Sequence, residues 1–182
     1  MKKLRKIFLT LICFLKFTFL AAYSSDPKSF VAELVNDAIG KLSSTSLSKE
    51  EKVEYIEQIA LDNVDIKALS LYTLGELRKS SDKQDIKNYQ QAFEKYFLKS
   101  LTSRLTDYSS QKFEVIDSEQ KSSNYTIVIS RIVESVKSPE IKIKWRIYTK
   151  NPQKPLIRDL IVEGLSLART QKEEFASILN SN

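Results

Sequence analysis

The residue types that carry most enzyme chemistry are nearly absent from this chain. It contains no histidine in 182 residues, and its single cysteine is Cys13. These absences exclude Ser-His-Asp and Cys-His triads and the usual histidine and cysteine ligands of zinc. The three glycines, Gly40, Gly75 and Gly164, are too far apart for a phosphate-binding glycine loop. Carboxylates and lysines are the side chains that remain for catalysis.

Asp159 and Glu163 are two carboxylates four residues apart, and a catalytic role for the pair can be tested against this spacing. Residues four apart on a strand share a face but lie roughly 13 Å apart, which is too far for a glycosidase pair. The sequence favours a structural role instead. Gly164 would permit a strand-to-helix turn, and Ser166 and Thr170 would satisfy free backbone donors at a helix start. We therefore predict no catalytic residue, no metal ligand and no enzymatic activity.

The N-terminus has the plan of a secretory leader. Basic residues precede an apolar stretch over residues 7–22, and small residues follow it. The best cleavage frame is Ala22-Tyr23-Ser24, which predicts a signal peptide over residues 1–24 and one mature domain over residues 25–182. An uncleaved N-terminal anchor is the alternative, although a lysine within the apolar stretch leaves it short for a membrane span. In either case we expect the folded part to be exported.

The charge balance depends on this leader. The chain has 29 Lys and Arg against 23 Asp and Glu, and five of the basic residues lie within residues 1–24. The mature part would therefore be close to neutral, so the basic excess does not predict nucleic-acid binding. Cys13 also belongs to the leader. The mature domain then has no disulfide, and its stability must come from its core.

Hydrophobic periodicity predicts helices in the first half of the chain. Apolar residues recur at steps of three and four from Pro27, after Asp65, and from Asp82 to Tyr108. Ser48 to Glu51 has the form of a capping box and opens a further helix. Gly75 interrupts the apolar pattern after Asp65, which predicts a helix break or a close contact there.

The period changes to alternation in the second half. Strands are predicted around residues 113–115 and 125–129, from Ile141 to Ile147, and from Leu156 to Val162, and Thr170 is predicted to cap a last helix. Together these elements predict an α+β domain. Its N-terminal helices pack on one face of a C-terminal antiparallel sheet of about four strands, and a C-terminal helix closes the fold.

Three segments resemble the MlaC family. The run Asp159-Leu-Ile-Val-Glu163-Gly164-Leu-Ser166-Leu, followed by Glu174-Phe175, resembles that family's D-x-x-x-E-G-V-S-L…F segment. Phe93-x-x-x-Phe97, leading through Leu105 to Tyr108, resembles its long helix, and Leu74-Gly75 stands where the family has Leu-Gly. The order of elements agrees as well, so the resemblance covers nearly all of the mature chain.

The resemblance implies a function in lipid transport. MlaC proteins are the periplasmic phospholipid-binding components of the Mla transport system, also called toluene-tolerance auxiliary proteins. A member would be a monomeric periplasmic carrier whose cargo is a glycerophospholipid and which needs no cofactor. Its partners would be an outer-membrane lipoprotein–porin complex and an inner-membrane ABC transporter with an MCE-domain subunit. Its role would be the maintenance of outer-membrane lipid asymmetry.

A carrier of this kind needs a cavity between helices and sheet that encloses acyl chains. The predicted lining consists of apolar residues on the facing sides of these elements: Leu74, Leu77, Phe93, Phe97, Leu101, Val115, Ile127, Ile129, Ile143, Trp145, Ile147, Leu160 and Val162. The family motif at Asp159, Glu163, Gly164 and Ser166 is expected to be structural.

Two other functions stay open at this stage. One is a periplasmic adaptor whose core is filled by its own side chains, because any of the aromatic and aliphatic residues above can equally be core. The other is a cone-shaped α+β enzyme on a hydrophobic substrate, which would need a buried carboxylate with a raised pKa. Lys142, Lys144 and Arg146 form either a solvated outer strand face or a docking surface for an acidic partner.

Overall fold

The computed structural model describes residues 23–105, 112–133 and 140–180. Its helices are α1 (Pro27–Leu42), α2 (Lys49–Asn63), α3 (Ile66–Leu74), a short 3-10 helix (Gly75–Lys79), α4 (Lys83–Leu105) and α5 (Leu167–Asn180). Its strands are β1 (Lys112–Ser122), β2 (Tyr125–Val133), β3 (Ile141–Tyr148), β4 (Leu156–Val162) and β5 (Leu165–Ser166). The predicted α+β class and the order of elements are confirmed.

Some of the expectations fall elsewhere in the chain. Residues 1–22 of the expected leader and the predicted end of the long helix at Tyr108 lie outside the described residues. Among the helices that are described, none is long and apolar enough to cross a bilayer.

The early helices begin at side chains that bind their first free amides. Asp26 accepts a hydrogen bond from an α1 amide at 2.9 Å, and Asp65 accepts one from an α3 amide at 3.1 Å. Ser48 and Glu51 form the predicted capping box, in which each side chain binds the other residue's amide, at 3.1 and 2.7 Å. Gly75 ends α3 with a φ of 62°, so the predicted helix break is present.

The sheet is an antiparallel meander in the order β1-β2-β3-β4-β5. α1 packs on β1 and β2, and α3 and α5 pack on β4. The main core cluster joins α1 to the inner face of the sheet through Phe30, Val31, Leu34, Val128, Trp145, Ile147 and Ile157. Lys142, Lys144 and Arg146 lie on the opposite face of β3 and are exposed, which agrees with a solvated outer face.

The structure corrects the orientation of β2. Val128 and Ser130 are fully buried toward the helices, whereas Ile127 and Ile129 lie on the outer face beside the cations of β3. A serine is tolerated inside because its hydroxyl accepts a hydrogen bond from Trp145 Nε1 at 2.8 Å. Ile127 and Ile129 therefore do not face the helices, contrary to the sequence prediction.

The segment after β4 also differs from the prediction. Glu163 and Gly164, with φ of 48° and 86°, form a two-residue hairpin turn into β5 rather than a strand-to-helix turn. α5 then begins at Leu167, three residues before Thr170. Its cap is Ser166, whose hydroxyl accepts a hydrogen bond from the amide three residues on at 3.1 Å. Thr170 lies inside the helix.

Tyr23 and Ser24 belong to the folded part, although the expected cleavage frame assigns them to the leader. The Tyr23 ring meets Phe30 edge-on at 6.2 Å between centroids, and its hydroxyl donates to Asp37 at 2.8 Å. The Ser24 amide donates to Glu33 at 2.7 Å. A cut after Ser24 would remove all three contacts.

Candidate functional site

A cavity of about 570 Å³ lies between the helices and the inner face of the sheet. This volume falls within the range of pockets that bind small molecules. All five α-helices and strands β1 to β4 contribute to its wall, and most of the lining side chains are aliphatic or aromatic. The helices therefore do not fill the space above the sheet.

The exposure of the lining side chains locates the opening of this cavity. Ile56, Ala60 and Trp145 line it and are almost completely buried. Within the described ranges, the exposed members of the lining all come from two helices: Tyr96 and Arg104 from α4, and Leu167, Thr170 and Glu174 from α5. The cavity therefore opens to solvent between α4 and α5.

Aromatic contacts join the two helices at this opening. Phe93 stacks on Phe97 at 6.1 Å between centroids and meets Phe175 edge-on at 6.0 Å. Tyr96 also meets Phe175, at 5.3 Å, and its hydroxyl donates to the Gln171 side chain at 3.4 Å. These contacts set the distance between α4 and α5.

Trp145, the single tryptophan of the chain, forms part of the cavity wall. Its indole N–H donates to Ser130, and its ring meets Phe113 edge-on at 6.2 Å. Because the one polar atom of the ring is already bound inside the protein, the ring adds only apolar surface to the cavity.

The buried carboxylate of Asp159 also lies in the wall. One oxygen accepts from the Ser166 hydroxyl at 2.7 Å and the other from the Ala168 amide at 3.0 Å. Arg146 lies 3.7 Å away. Since both oxygens are hydrogen-bonded to the start of α5, this carboxylate anchors a helix and is poorly placed to act as the acid or base of an enzyme.

Glu163, the second carboxylate of the motif, lies away from the cavity. Its side chain accepts a hydrogen bond from the Lys142 amide at 2.6 Å and so ties the hairpin turn to β3. Within the described part of the chain, no group of three His, Cys, Asp or Glu side chains is placed to hold a metal ion.

The structure brings together about half of the residues predicted to line the cavity. Six of them do so: Phe93, Phe97, Leu101, Ile143, Trp145 and Leu160. The other seven lie elsewhere. Leu74 and Ile147 are buried in the core, and Val115 packs against it. Val162 pairs with Ile143 at the end of β4, Leu77 lies in the 3-10 helix, and Ile127 and Ile129 are on the outer face of the sheet.

Several lining residues were not predicted, and two groups of them are informative. One group comes from α1 and consists of Val35, Ala38 and Ile39. The broad apolar stripe of α1 could have indicated them, because it is wider than a contact with the core alone requires. Arg104 and Glu174 lie at the opening. Their position depends on how α4 and α5 pack, and no local pattern in the sequence indicates it.

These features define an α+β protein with an apolar cavity that opens between two helices. The model of the MlaC protein family matches residues 32–182, and the chain therefore belongs to the MlaC family. No curated protein sequence matches the chain.

A solved structure has a similar fold. It is a phospholipid-binding protein from Ralstonia solanacearum in complex with a phospholipid, with a TM-score of 0.67 over 83% of this chain and 86% of that one. The sequence identity is 15%, so this similarity shows the shared fold.

Proposed function

We propose that this protein is a periplasmic phospholipid carrier. The observation that supports this most directly is the apolar cavity that opens between α4 and α5 in a member of the MlaC family. A protein with the same fold is known in complex with a phospholipid, which adds support.

The apolar wall fits the physical requirement of lipid transport. Burial of a methylene group contributes about 0.8 kcal/mol, so a 16-carbon chain left in water costs on the order of 12 kcal/mol. A carrier must therefore enclose the tails, and the deep end of this cavity is apolar. The head group is already polar and stays at the opening, where the exposed lining residues lie.

The proposed carrier works by binding and handover without covalent chemistry. A leader that ends before Tyr23 would export it, and the folded domain would move as a monomer through the periplasm. It would exchange glycerophospholipid with an outer-membrane lipoprotein–porin complex and with an inner-membrane ABC transporter that has an MCE-domain subunit. This exchange would maintain the lipid asymmetry of the outer membrane.

Filling the cavity tests the proposal. Leu101 lies on α4 and lines the cavity, so Leu101→Trp should place a large ring in the space of the tails. We expect several-fold less phospholipid to co-purify with this variant, measured by native mass spectrometry and lipid extraction. The matched control is Leu98→Trp, because Leu98 is also partly buried on α4 but does not line the cavity.

Two results would contradict the proposal. Unchanged lipid in Leu101→Trp, together with the loss of about 1–3 kcal/mol of stability that overpacking causes, would show that Leu101 is ordinary core. A wild-type protein that yields only an apo mass and no extractable lipid would favour the adaptor instead.

A further inference from the structure

Two exposed side chains of opposite charge line the opening, one on each of its two helices. Arg104 is in the last turn of α4, and Glu174 is in α5, and both line the cavity. The remaining charged residue of the lining is Asp159, which is bound to the start of α5. Among the described lining residues, the charges available to a ligand at the opening are thus one guanidinium and one carboxylate.

Neither charge is neutralised within the described ranges. Arg104 forms no hydrogen bond or ion pair there, and Glu174 accepts a hydrogen bond from the neutral Gln171 amide at 3.1 Å. The two side chains do not pair with each other. Lys172, the cation nearest in sequence to Glu174, lies instead over the Tyr72 ring on α3 at 5.2 Å.

The carboxylate is held in place by neighbouring contacts. The Tyr96 hydroxyl donates to the Gln171 side-chain oxygen, and the Gln171 side-chain amide donates to Glu174. This chain of hydrogen bonds runs from α4 to α5 across the opening. It keeps Glu174 at the rim before any ligand binds, which lowers the entropic cost of binding.

We propose that Arg104 and Glu174 form a head-group site for a phospholipid that carries an amine beside its phosphate, with Arg104 bound to the phosphate and Glu174 to the ammonium. The planar guanidinium matches the geometry of phosphate oxygens. An ammonium group supplies the hydrogen-bond donors that a carboxylate accepts. This inference rests on the proposed function, because the tails of the same lipid must occupy the cavity.

The arrangement selects between head groups by charge. A head group with a phosphate and an amine satisfies both rim residues. A head group with a phosphate and only hydroxyls has no cation to pair with Glu174. The carboxylate then lies near the negatively charged phosphate, which is unfavourable. The site should therefore favour phosphatidylethanolamine over phosphatidylglycerol when the acyl chains are identical.

A competition experiment tests this selectivity. The exported protein is stripped of lipid and loaded from detergent micelles that contain equal amounts of phosphatidylethanolamine and phosphatidylglycerol with the same chains, and native mass spectrometry gives the bound ratio. We expect the wild type to favour phosphatidylethanolamine by about two- to fivefold, the range of an exposed ion pair. Glu174→Gln should bring the ratio to about one.

Variants at Arg104 give an independent readout. Arg104→Gln should lower retention of both phospholipids by about two- to fivefold and leave retention of diacylglycerol with the same chains unchanged. Arg104→Lys, which keeps the positive charge, should retain most of the phospholipid that Arg104→Gln loses. The control is Lys99→Gln, which removes one positive charge from an exposed position of α4 outside the cavity lining and should change neither quantity.

The outcomes separate this inference from the proposed function. Equal retention of both phospholipids by the wild type, insensitive to both rim variants, would overturn the head-group site while leaving the carrier intact. Displacement of bound lipid by soluble phosphoethanolamine at equal concentration would assign the rim to a soluble ligand and overturn the site as well. A wild type that binds none of these lipids would refute the carrier itself.

Discussion

Asp159 lies in the wall of an apolar cavity, and both of its oxygens bind the start of α5. A carboxylate in this position satisfies free amides and is favoured by the dipole of the helix. α5 forms one side of the cavity opening. The motif residue therefore acts on the site by fixing the position of this helix.

Removal of this anchor should loosen α5. Asp159→Ala leaves the Ser166 hydroxyl and the Ala168 amide without their acceptor, so we expect a loss of about 1–2 kcal/mol in the free energy of unfolding, measured by urea denaturation. Hydrogen exchange should accelerate in the first turn of α5. Glu173→Ala, at an exposed position of the same helix, is the control. An unchanged exchange rate in α5 would contradict the anchoring role.

Among the elements, those with strong local signals were predictable. The capping box at Ser48 and the alternation from Ile141 to Ile147 each reflect a physical preference of a few consecutive residues. The start of α5 was misplaced because Thr170 to Glu173 also has the form of a capping box. Ser166 became the cap because it is held by Asp159 from another strand, which local sequence does not report.

The cavity wall shows the same division. Phe93, Phe97 and Leu101 were predictable because they continue one helical stripe. The orientation of β2 was not predictable, because the inward position of Ser130 depends on a hydrogen bond from Trp145, fifteen residues away in sequence. Long-range contacts of this kind decide which of two similar faces is buried.

Arg158 links several elements at once. Its guanidinium binds the Asp65 carboxylate at 2.7 and 2.8 Å, donates to the Tyr125 hydroxyl at 2.8 Å, and lies 3.3 Å from the centre of the Tyr148 ring. These contacts join the start of α3 to β2, β3 and β4, and the arginine is only about a quarter exposed. They hold the helical layer against the sheet.

We expect Arg158→Ala to destabilise the protein by about 1.5–3 kcal/mol, the range for hydrogen bonds to charged groups. A double-mutant cycle with Asp65→Asn, measured by urea denaturation, isolates the Arg158–Asp65 contribution from the separate capping role of Asp65. Arg158→Lys keeps the charge and should recover only part of the loss, because lysine lacks the planar fork. A coupling energy near zero would show that the contact is not stabilising.

A second link joins α1, α2 and the segment before α1. The hydroxyls of Tyr23 and Tyr55 both donate to one oxygen of Asp37, at 2.8 and 2.6 Å. Burial, and then the contact with Asp37, raise the pKa of Tyr23 to about 12, and the same causes raise the pKa of Tyr55. Both tyrosines are therefore bound in their protonated form.

This link predicts a loss of stability in alkali. Tyrosine in an unfolded chain titrates near pH 10, so between about pH 10 and 12 the unfolded state releases protons that the folded state keeps. The stabilisation is complete below pH 10 and declines as the pH rises toward 12. Urea denaturation across this range should show that the free energy of unfolding declines less steeply with pH in the double variant Tyr23→Phe/Tyr55→Phe than in the wild type. Equal slopes for variant and wild type would refute the coupling.

At the scale of the whole molecule, the proposed function predicts that a carrier with enclosed acyl tails holds its cargo without a partner. The equilibrium constant for loss of tails to water falls about tenfold for each 1.4 kcal/mol of burial. Trp145 allows this to be measured, because it is the single tryptophan and lines the cavity. Protein loaded with phospholipid brominated in its acyl chains should show quenched fluorescence.

The quenching should persist when vesicles of unbrominated phosphatidylethanolamine and phosphatidylglycerol are added. It should be relieved faster when the vesicles carry the proposed MCE-domain partner. Protein loaded with unbrominated lipid is the control for effects of binding alone. Rapid and complete recovery with bare vesicles would contradict an enclosed cavity and indicate an open groove.

The position of the opening has a kinetic consequence. At the opening, Tyr96 meets α5 through one hydrogen bond to Gln171 and one ring contact with Phe175. The wall at Trp145 is instead buried. Under the proposed function, residence time and equilibrium affinity are then encoded in different residues. A substitution at Phe175 that weakens its ring contact with Tyr96 should change how quickly cargo exchanges, and one in the deep wall should change how much is held, so the two properties can diverge separately among relatives.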